Sequence, residues 1–244
     1  MCSLIVVFGI DDDFPVLVAG NRDERRDRPS APPGLYVGAV HRMLSPRDRR
    51  AGGTWLAVAE TGMVAGLTNV FGAPAPDGAT TRGELPHLAL DAATLDDAVE
   101  RVERRVAEHR YGGFQLLLCD GRQAHVIRHV DGELSHVRRD RGPIVISNEH
   151  PVDALQLPDL PAALEPGLDV DARLERLRVC LTDAGERSGH RVLKRGGAYG
   201  TVSSSLIAVP AGDPRDLRWN FAAGQPDEVP YRRYGNLGRR LVEA

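Results

Sequence analysis

Met1-Cys2-Ser3-Leu4-Ile5-Val6-Val7-Phe8-Gly9-Ile10, then Asp11-Asp12-Asp13-Phe14-Pro15, then Val16-Leu17-Val18-Ala19-Gly20-Asn21-Arg22-Asp23-Glu24 form one readable unit. Ser3 to Ile10 and Val16 to Gly20 are β-rich runs, and the aspartates and proline between them suit a turn, so the unit predicts a hairpin. In an antiparallel pair the start of the first strand lies opposite the end of the second. That places Asn21-Arg22-Asp23-Glu24 beside Cys2. From there Asp23 can accept a hydrogen bond from an α-ammonium or orient an amine, and Arg22 can hold a thiolate or a substrate carboxylate. The plainer reading of the tetrapeptide is a solvated turn with a local ion pair.

A small second residue generally permits removal of Met1, and Cys2 then carries a thiol nucleophile and an α-amine of near-neutral pKa on one residue. Nucleophile and general base would share a backbone position. Cysteine is also tolerated second in chains with no such chemistry, so position alone does not decide the matter.

Outward from the hairpin, Thr54 to Ala59 and Val64 to Asn69 predict a second hairpin across Glu60-Thr61-Gly62. The polar, Pro-rich stretch from Asn21 to Gly34 reads as an ordered loop. Helical spacing runs from Leu85 to about His109, and Thr94 with Asp97 three residues on divides it into two helices. Strands return at Phe114 to Cys119, Ala124 to His129, Leu134 to Val137 and Ile144 to Ser147. A helix follows over Val170 to Asp183, then strands over Tyr199 to Val209 and Leu217 to Phe221. Hairpin-joined strands with helices between the blocks favour an α+β fold of two largely antiparallel sheets flanked by helices, in one domain over residues 1–244. No Gly-rich phosphate loop follows a predicted strand, which removes the main support for nucleotide binding.

Of 244 residues, 42% are hydrophobic and 27% charged, and the formal charge is -3, so no broad pull toward nucleic acid or anionic membranes is expected. Lys194 is the one lysine among 31 basic residues. Cys2, Cys119 and Cys180 make no disulfide framework and suit a reducing cytoplasm, Cys119 and Cys180 as core residues. The chain opens without a signal-peptide pattern and holds no run of eighteen apolar residues, so no membrane span is expected. Whether it forms a homo-oligomer stays open.

A set of motifs in order adds a resemblance. The Met-Cys start, Asn21-Arg22-Asp23-Glu24, Arg28-Pro29, Gly52-Gly53-Thr54-Trp55-Leu56, Leu67-Thr68-Asn69, Thr81-Arg82-Gly83-Glu84-Leu85, Tyr111-Gly112-Gly113-Phe114 and Tyr199-Gly200-Thr201-Val202-Ser203-Ser204 resemble the NRDE family, which includes transport and Golgi organisation protein 2 of animals. That family resembles N-terminal nucleophile hydrolases. The resemblance implies a four-layer αββα sandwich, and it is similar to the cysteine branch containing penicillin V acylase and bile salt hydrolase. Carried over by position, it implies Cys2 as nucleophile, Arg22 and Asp23 as its partners, and Asn69 and Asn148 as oxyanion donors. Trp55, Arg82 and Ser203 are placed as substrate-binding residues, with no metal or organic cofactor. A second arginine of the acylase branch, late in the chain, has three candidates here: Arg195, Arg215 and Arg218.

The implied activity is that of a cysteine N-terminal nucleophile amidohydrolase or acyltransferase, cleaving a non-peptide C–N amide bond of a small-molecule amide or acyl substrate through a Cys2 thioester. The alternative is a non-catalytic haem or acyl-ligand carrier on the same fold. For haem, no Cys-Pro motif is present, and His41 and His150 are ligands by type only. His125 and His129, four apart on a strand, are spaced too widely for a compact metal pair. The cluster Arg22, Arg25, Arg26, Arg28 hints at an anionic substrate, against the plainer reading of solvated loop charges.

Overall fold

The computed structural model describes residues 2–243. β1 (Cys2–Phe8) and β2 (Val16–Arg25) form the expected hairpin, in a register that pairs Cys2 with Arg22 and Phe8 with Val16. Asp11 closes its turn by accepting the N–H of Phe14 at 2.9 Å and of Asp13 at 3.1 Å. β10 (Ile144–Ser147) lies outside β1, and β11 (Tyr199–Val209) lies against β2. β12 (Arg218–Ala222) and β13 (Arg232–Arg233) complete a six-stranded sheet.

The second sheet has seven strands in chain order. They are β3 (Ser30–Val37), β4 (Arg42–Asp48), β5 (Leu56–Ala59), β6 (Val64–Asn69), β7 (Phe114–Cys119), β8 (Ala124–Val130) and β9 (Glu133–Arg139). Between β6 and β7 run α1 (Leu85–Leu90) and α2 (Leu95–Glu108), separated where Thr94 caps α2 by accepting the Asp97 N–H at 3.1 Å.

Alternation along the strands sorts the side chains into layers. Leu4, Val6, Phe8 and Val18 meet Leu44, Leu56, Val64 and Leu117 between the two sheets. Ile5, Val7, Leu17 and Ala19 point the other way, onto Leu174, Leu177 and Cys180 of α4 (Val170–Leu181). Ala57, Ala65, Leu116 and Leu118 on the outer face of the second sheet carry Leu85, Ala89, Val99 and Val102 of α1 and α2. The order is helix, sheet, sheet, helix, the expected αββα sandwich.

The stretch Asn21–Gly34 departs from the expected loop. β2 continues to Arg25 because β11 pairs with it as far as Tyr199 against Arg25, giving these charged residues ladder partners. β3 tolerates Pro32 and Pro33 because it is an edge strand with a register shift between Ala31 and Gly34. β4, too polar to register as apolar alternation, was also not expected, nor were α3 (Leu160–Ala163) and α5 (Leu237–Val242). No helix among the described residues is long and apolar enough to cross a membrane.

Candidate active site

Strand pairing assembles the site. Cys2 stands opposite Arg22, β11 brings Thr201 opposite Asp23, and Cys2, Arg22 and Asp23 line one cavity of about 110 Å³. Cys2 is half-buried; burial pushes its thiol up, and the Asp23 charge acts in the same sense. The Asp23 backbone N–H and the Arg22 guanidinium act in the opposite sense, favouring the thiolate.

Asp23 is buried at 1% exposure, and burial pushes its carboxyl up to about 7 against the Thr201 hydroxyl and the Lys194 charge. Thr201 Oγ1 donates to Asp23 Oδ1 at 2.7 Å and accepts the Lys194 backbone N–H at 3.0 Å, which fixes the hydroxyl's direction. The Tyr199 hydroxyl donates to the Asp23 carbonyl at 2.7 Å. Lys194 itself pairs with Glu149.

Arg22 is only 4% exposed. Its guanidinium carbon lies 4.3 Å from the Trp55 ring centroid, a cation–π contact, and Nη2 is 3.9 Å from Asp48. Arg28 holds Asp48 at 2.7 Å and reaches Glu24 at 3.7 Å. Nη1 of Arg22 has no hydrogen-bond partner among the described residues.

Asn69 ends β6 and lines the cavity. Asn148, one residue past β10, donates its backbone N–H to the Cys2 carbonyl at 3.3 Å and accepts the Phe71 N–H at 2.8 Å. Its buried Nδ2 has no partner among the described residues. Gln115 Nε2 donates to the carbonyls of Ser147 and His150, tying β7 to the end of β10. The two asparagines therefore stand on segments that are bonded to each other across the sheets. Asn148 flanks Cys2 without lining the cavity.

Of the residues expected to bind substrate, Trp55 and Arg82 line the cavity and Ser203 does not. A bulge between Thr201 and Ser203 gives Thr201 the place opposite Asp23 and leaves Ser203 buried against Arg22. Arg195 is held by Asp227 and Glu228, Arg215 by Asp213 and Arg218 by Asp171, and none of the three reaches the cavity. The further arginines there come from early in the chain, Arg28 and Arg82. Asn21 has a scaffold role, donating to the carbonyls of Leu181 at 2.9 Å and Val192 at 3.1 Å. His41 contacts Glu60, His150 packs edge-on to His190 and His129 stacks on Phe114, all outside the cavity.

Of the cluster expected to meet an anion, Arg22 and Arg28 line the cavity and Arg25 and Arg26 do not; sequence reasoning missed Asp48, Lys194 and Glu149. The usable signal was Lys194, a single lysine in a chain that otherwise uses arginine.

Arg82 arrives on a short 3-10 turn (Arg82–Glu84) capped by Thr81, and that turn docks on Gly53. The Thr54 N–H donates to the Gly83 carbonyl at 2.8 Å, and a Cβ on Gly53 would stand 2.4 Å from the Gly83 carbonyl carbon and oxygen. Gly53→Ala is expected to displace the turn and cost about 1–3 kcal/mol, read by denaturant unfolding.

Residues 1–158, which include Cys2 and every cavity residue, match the Transport and Golgi organisation 2 family. The chain belongs to that family. Among its relatives, the Transport and Golgi organization protein 2 homolog of Bos taurus is 32% identical over 111 residues, 44% of this chain and 39% of that protein. The human homolog is 33% identical over 111 residues with the same coverage, so the match spans about two fifths of these relatives' length. Two crystal structures of conjugated bile acid hydrolase variants from Clostridium perfringens superpose with TM-scores of 0.51 and 0.53 at 12% and 11% identity, covering 96% of each chain. The chain thus shares its fold with conjugated bile acid hydrolase, a fold of the kind the NRDE resemblance implied.

Proposed function

We propose that the chain is a cysteine N-terminal nucleophile hydrolase acting on a non-peptide C–N amide bond, in a reducing compartment that keeps its three cysteines as thiols. The observation that carries this reading is the placement of Cys2, Arg22 and Asp23 around one cavity by strand register alone. Met1 lies outside the described residues; its removal is part of the proposal. The α-amine of Cys2 then takes the thiol proton, directly or through water, and sulfur attacks the carbonyl. Asn69 and Asn148 donate to the oxyanion, uncharged donors of the kind worth a few kcal/mol each. The ammonium protonates the leaving amine, and water cleaves the thioester with the amine as base.

Asp23 supports that cycle by holding the amine. A carboxyl poised near neutrality beside an amine gains its charge when the amine becomes an ammonium, stabilising the protonated state that must later donate. A haem carrier draws nothing from His41 and His150, whose rings are engaged outside the cavity. Incubation with a panel of N-acyl amines, followed by acid quench and intact mass measurement, tests the reading. The expected result is an acyl adduct on Cys2 that hydroxylamine releases; turnover with the adduct on another residue contradicts it.

A further inference from the structure

Three guanidiniums line the cavity with three carboxylates, and two of the guanidiniums account for Glu24 and Asp48. Arg28 sits between Asp48 and Glu24, and Arg22 shares Asp48. Arg82 makes a single hydrogen bond, Nη1 to the Gly113 carbonyl at 2.8 Å, and no ion pair among the described residues. Burial first and Arg28 second press against its charge, while Cys2 and Glu24 favour it more weakly. A half-buried cation kept without an ion pair lacks the direct compensation that such groups ordinarily find. Arg22 adds the buried Nη1 with no acceptor.

The walls are otherwise polar, with Trp55 and Leu67 the large apolar side chains among the lining residues. At about 110 Å³ the space suits a small polar group. Guanidiniums present planar paired donors that match a carboxylate. With Glu24 and Asp48 offsetting two arginines, and the Asp23 charge paired with the Cys2 ammonium in the hydrolase reading, the surplus is the one positive charge of Arg82, which fits a monoanion better than a phosphate dianion.

We infer that Arg82, together with the free Nη1 edge of Arg22, binds a carboxylate of the substrate, so that the amide cleaved at Cys2 carries that carboxylate a few bonds from its scissile carbonyl. The placement beside the scissile bond rests on the hydrolase reading; the anion site itself does not. Arg82 is then a specificity-determining residue, set on the Gly53–Gly83 contact that fixes its turn.

Alkylation of Cys2 separates the two claims, because it needs no catalysis. Sulfur displaces iodide from either iodoacetate or iodoacetamide, forming the S–C bond as the C–I bond breaks; the reagents differ in the carboxylate. Iodoacetamide reports on the thiol itself, so changes in Cys2 reactivity cancel in the ratio of the two rates. Peptide mapping assigns the label, with Cys119 and Cys180 buried and their thiols pushed up to about 12.

In the folded full chain the iodoacetate-to-iodoacetamide ratio at Cys2 is expected to exceed that of the urea-unfolded chain by about tenfold, the worth of one hydrogen bond between charged groups. Arg82→Gln brings the ratio to within about twofold of the unfolded value, and Arg82→Lys keeps part of the preference. Acetate, but not acetamide, slows iodoacetate labelling of the unsubstituted chain, a result that needs no variant to fold. A folded ratio equal to the unfolded one, no protection by acetate, or a ratio indifferent to Arg82→Gln overturns the inference. A chain that shows the preference yet hydrolyses no amide contradicts the hydrolase reading and leaves the anion site standing.

Discussion

Replacing Cys2 with alanine abolishes turnover, by roughly 10⁵- to 10⁶-fold in kcat, the scale seen when a covalent nucleophile is removed. The fold survives the change. Cys2 contributes to the first sheet through its backbone, which pairs with Arg22 and accepts the Asn148 N–H, and alanine keeps both. Its side chain is half-buried at the cavity and belongs to none of the three apolar cores. Loss of activity with unchanged denaturant unfolding therefore separates chemistry from stability. Cys2→Ser falls between the two proteins, because a hydroxyl gives up its proton to an amine far less readily than a thiol does. Equal rates for Cys2→Ala and the unsubstituted chain would remove Cys2 from the mechanism.

The second large effect belongs to Asp23. Its carboxyl is raised by burial to about 7 from an ordinary 3.8, so the folded chain keeps a proton that the unfolded chain releases. The stability tied to that proton is fully present below pH 4 and is lost as pH rises through 7. Three pH units at about 1.4 kcal/mol each put the loss on the order of 4 kcal/mol. Asp23→Asn removes the titrating group while keeping an acceptor for the Thr201 hydroxyl. Relative to the unsubstituted chain, the variant is expected to gain stability progressively from pH 4.5 to pH 7.5 in denaturant titrations. Parallel stability profiles would refute the raised carboxyl. In activity the variant moves the other way: with no charge to hold the ammonium, kcat falls by about 10²-fold, within the range for acid–base assistance. The unsubstituted enzyme also loses an acid limb near pH 7 when Asp23 becomes Asn.

A group that costs stability at neutral pH and is kept beside the nucleophile fits a site held for chemistry. The surrounding bonds support the same view. Thr201, Lys194 and Tyr199 come from the late strand β11 and the segment before it, and they fix Asp23 from the far end of the chain.

Much of this was legible because the information was local. The alternation of Leu4, Val6 and Phe8 against Ile5 and Val7, with turn residues at Asp11 and Pro15, carries the hairpin and hence the meeting of Cys2 with Arg22. Thr94 with Asp97 carries the break between α1 and α2. The missing parts depend on partners distant in sequence. Nothing in Asn21 to Arg25 announces a strand until β11 is laid against it, and β3 and β4 are extended by pairing in spite of prolines and charges. Arg82 becomes a cavity residue only through the approach of Gly53 to Gly83, thirty residues being bridged by a contact no periodicity encodes. Ser203, expected to bind substrate, stands off the cavity for a related reason, since a bulge shifts parity where the alternation looked regular.

The central claim is that Cys2 works as the first residue of the mature chain, its own amine serving as base. Intact mass spectrometry of the purified protein, taken on the sample that shows activity and repeated after alkylation across pH, measures this directly. The account predicts a mass lacking Met1, with one alkyl group placed selectively on Cys2 in a pH-dependent manner. Full activity in protein that retains Met1 would contradict it.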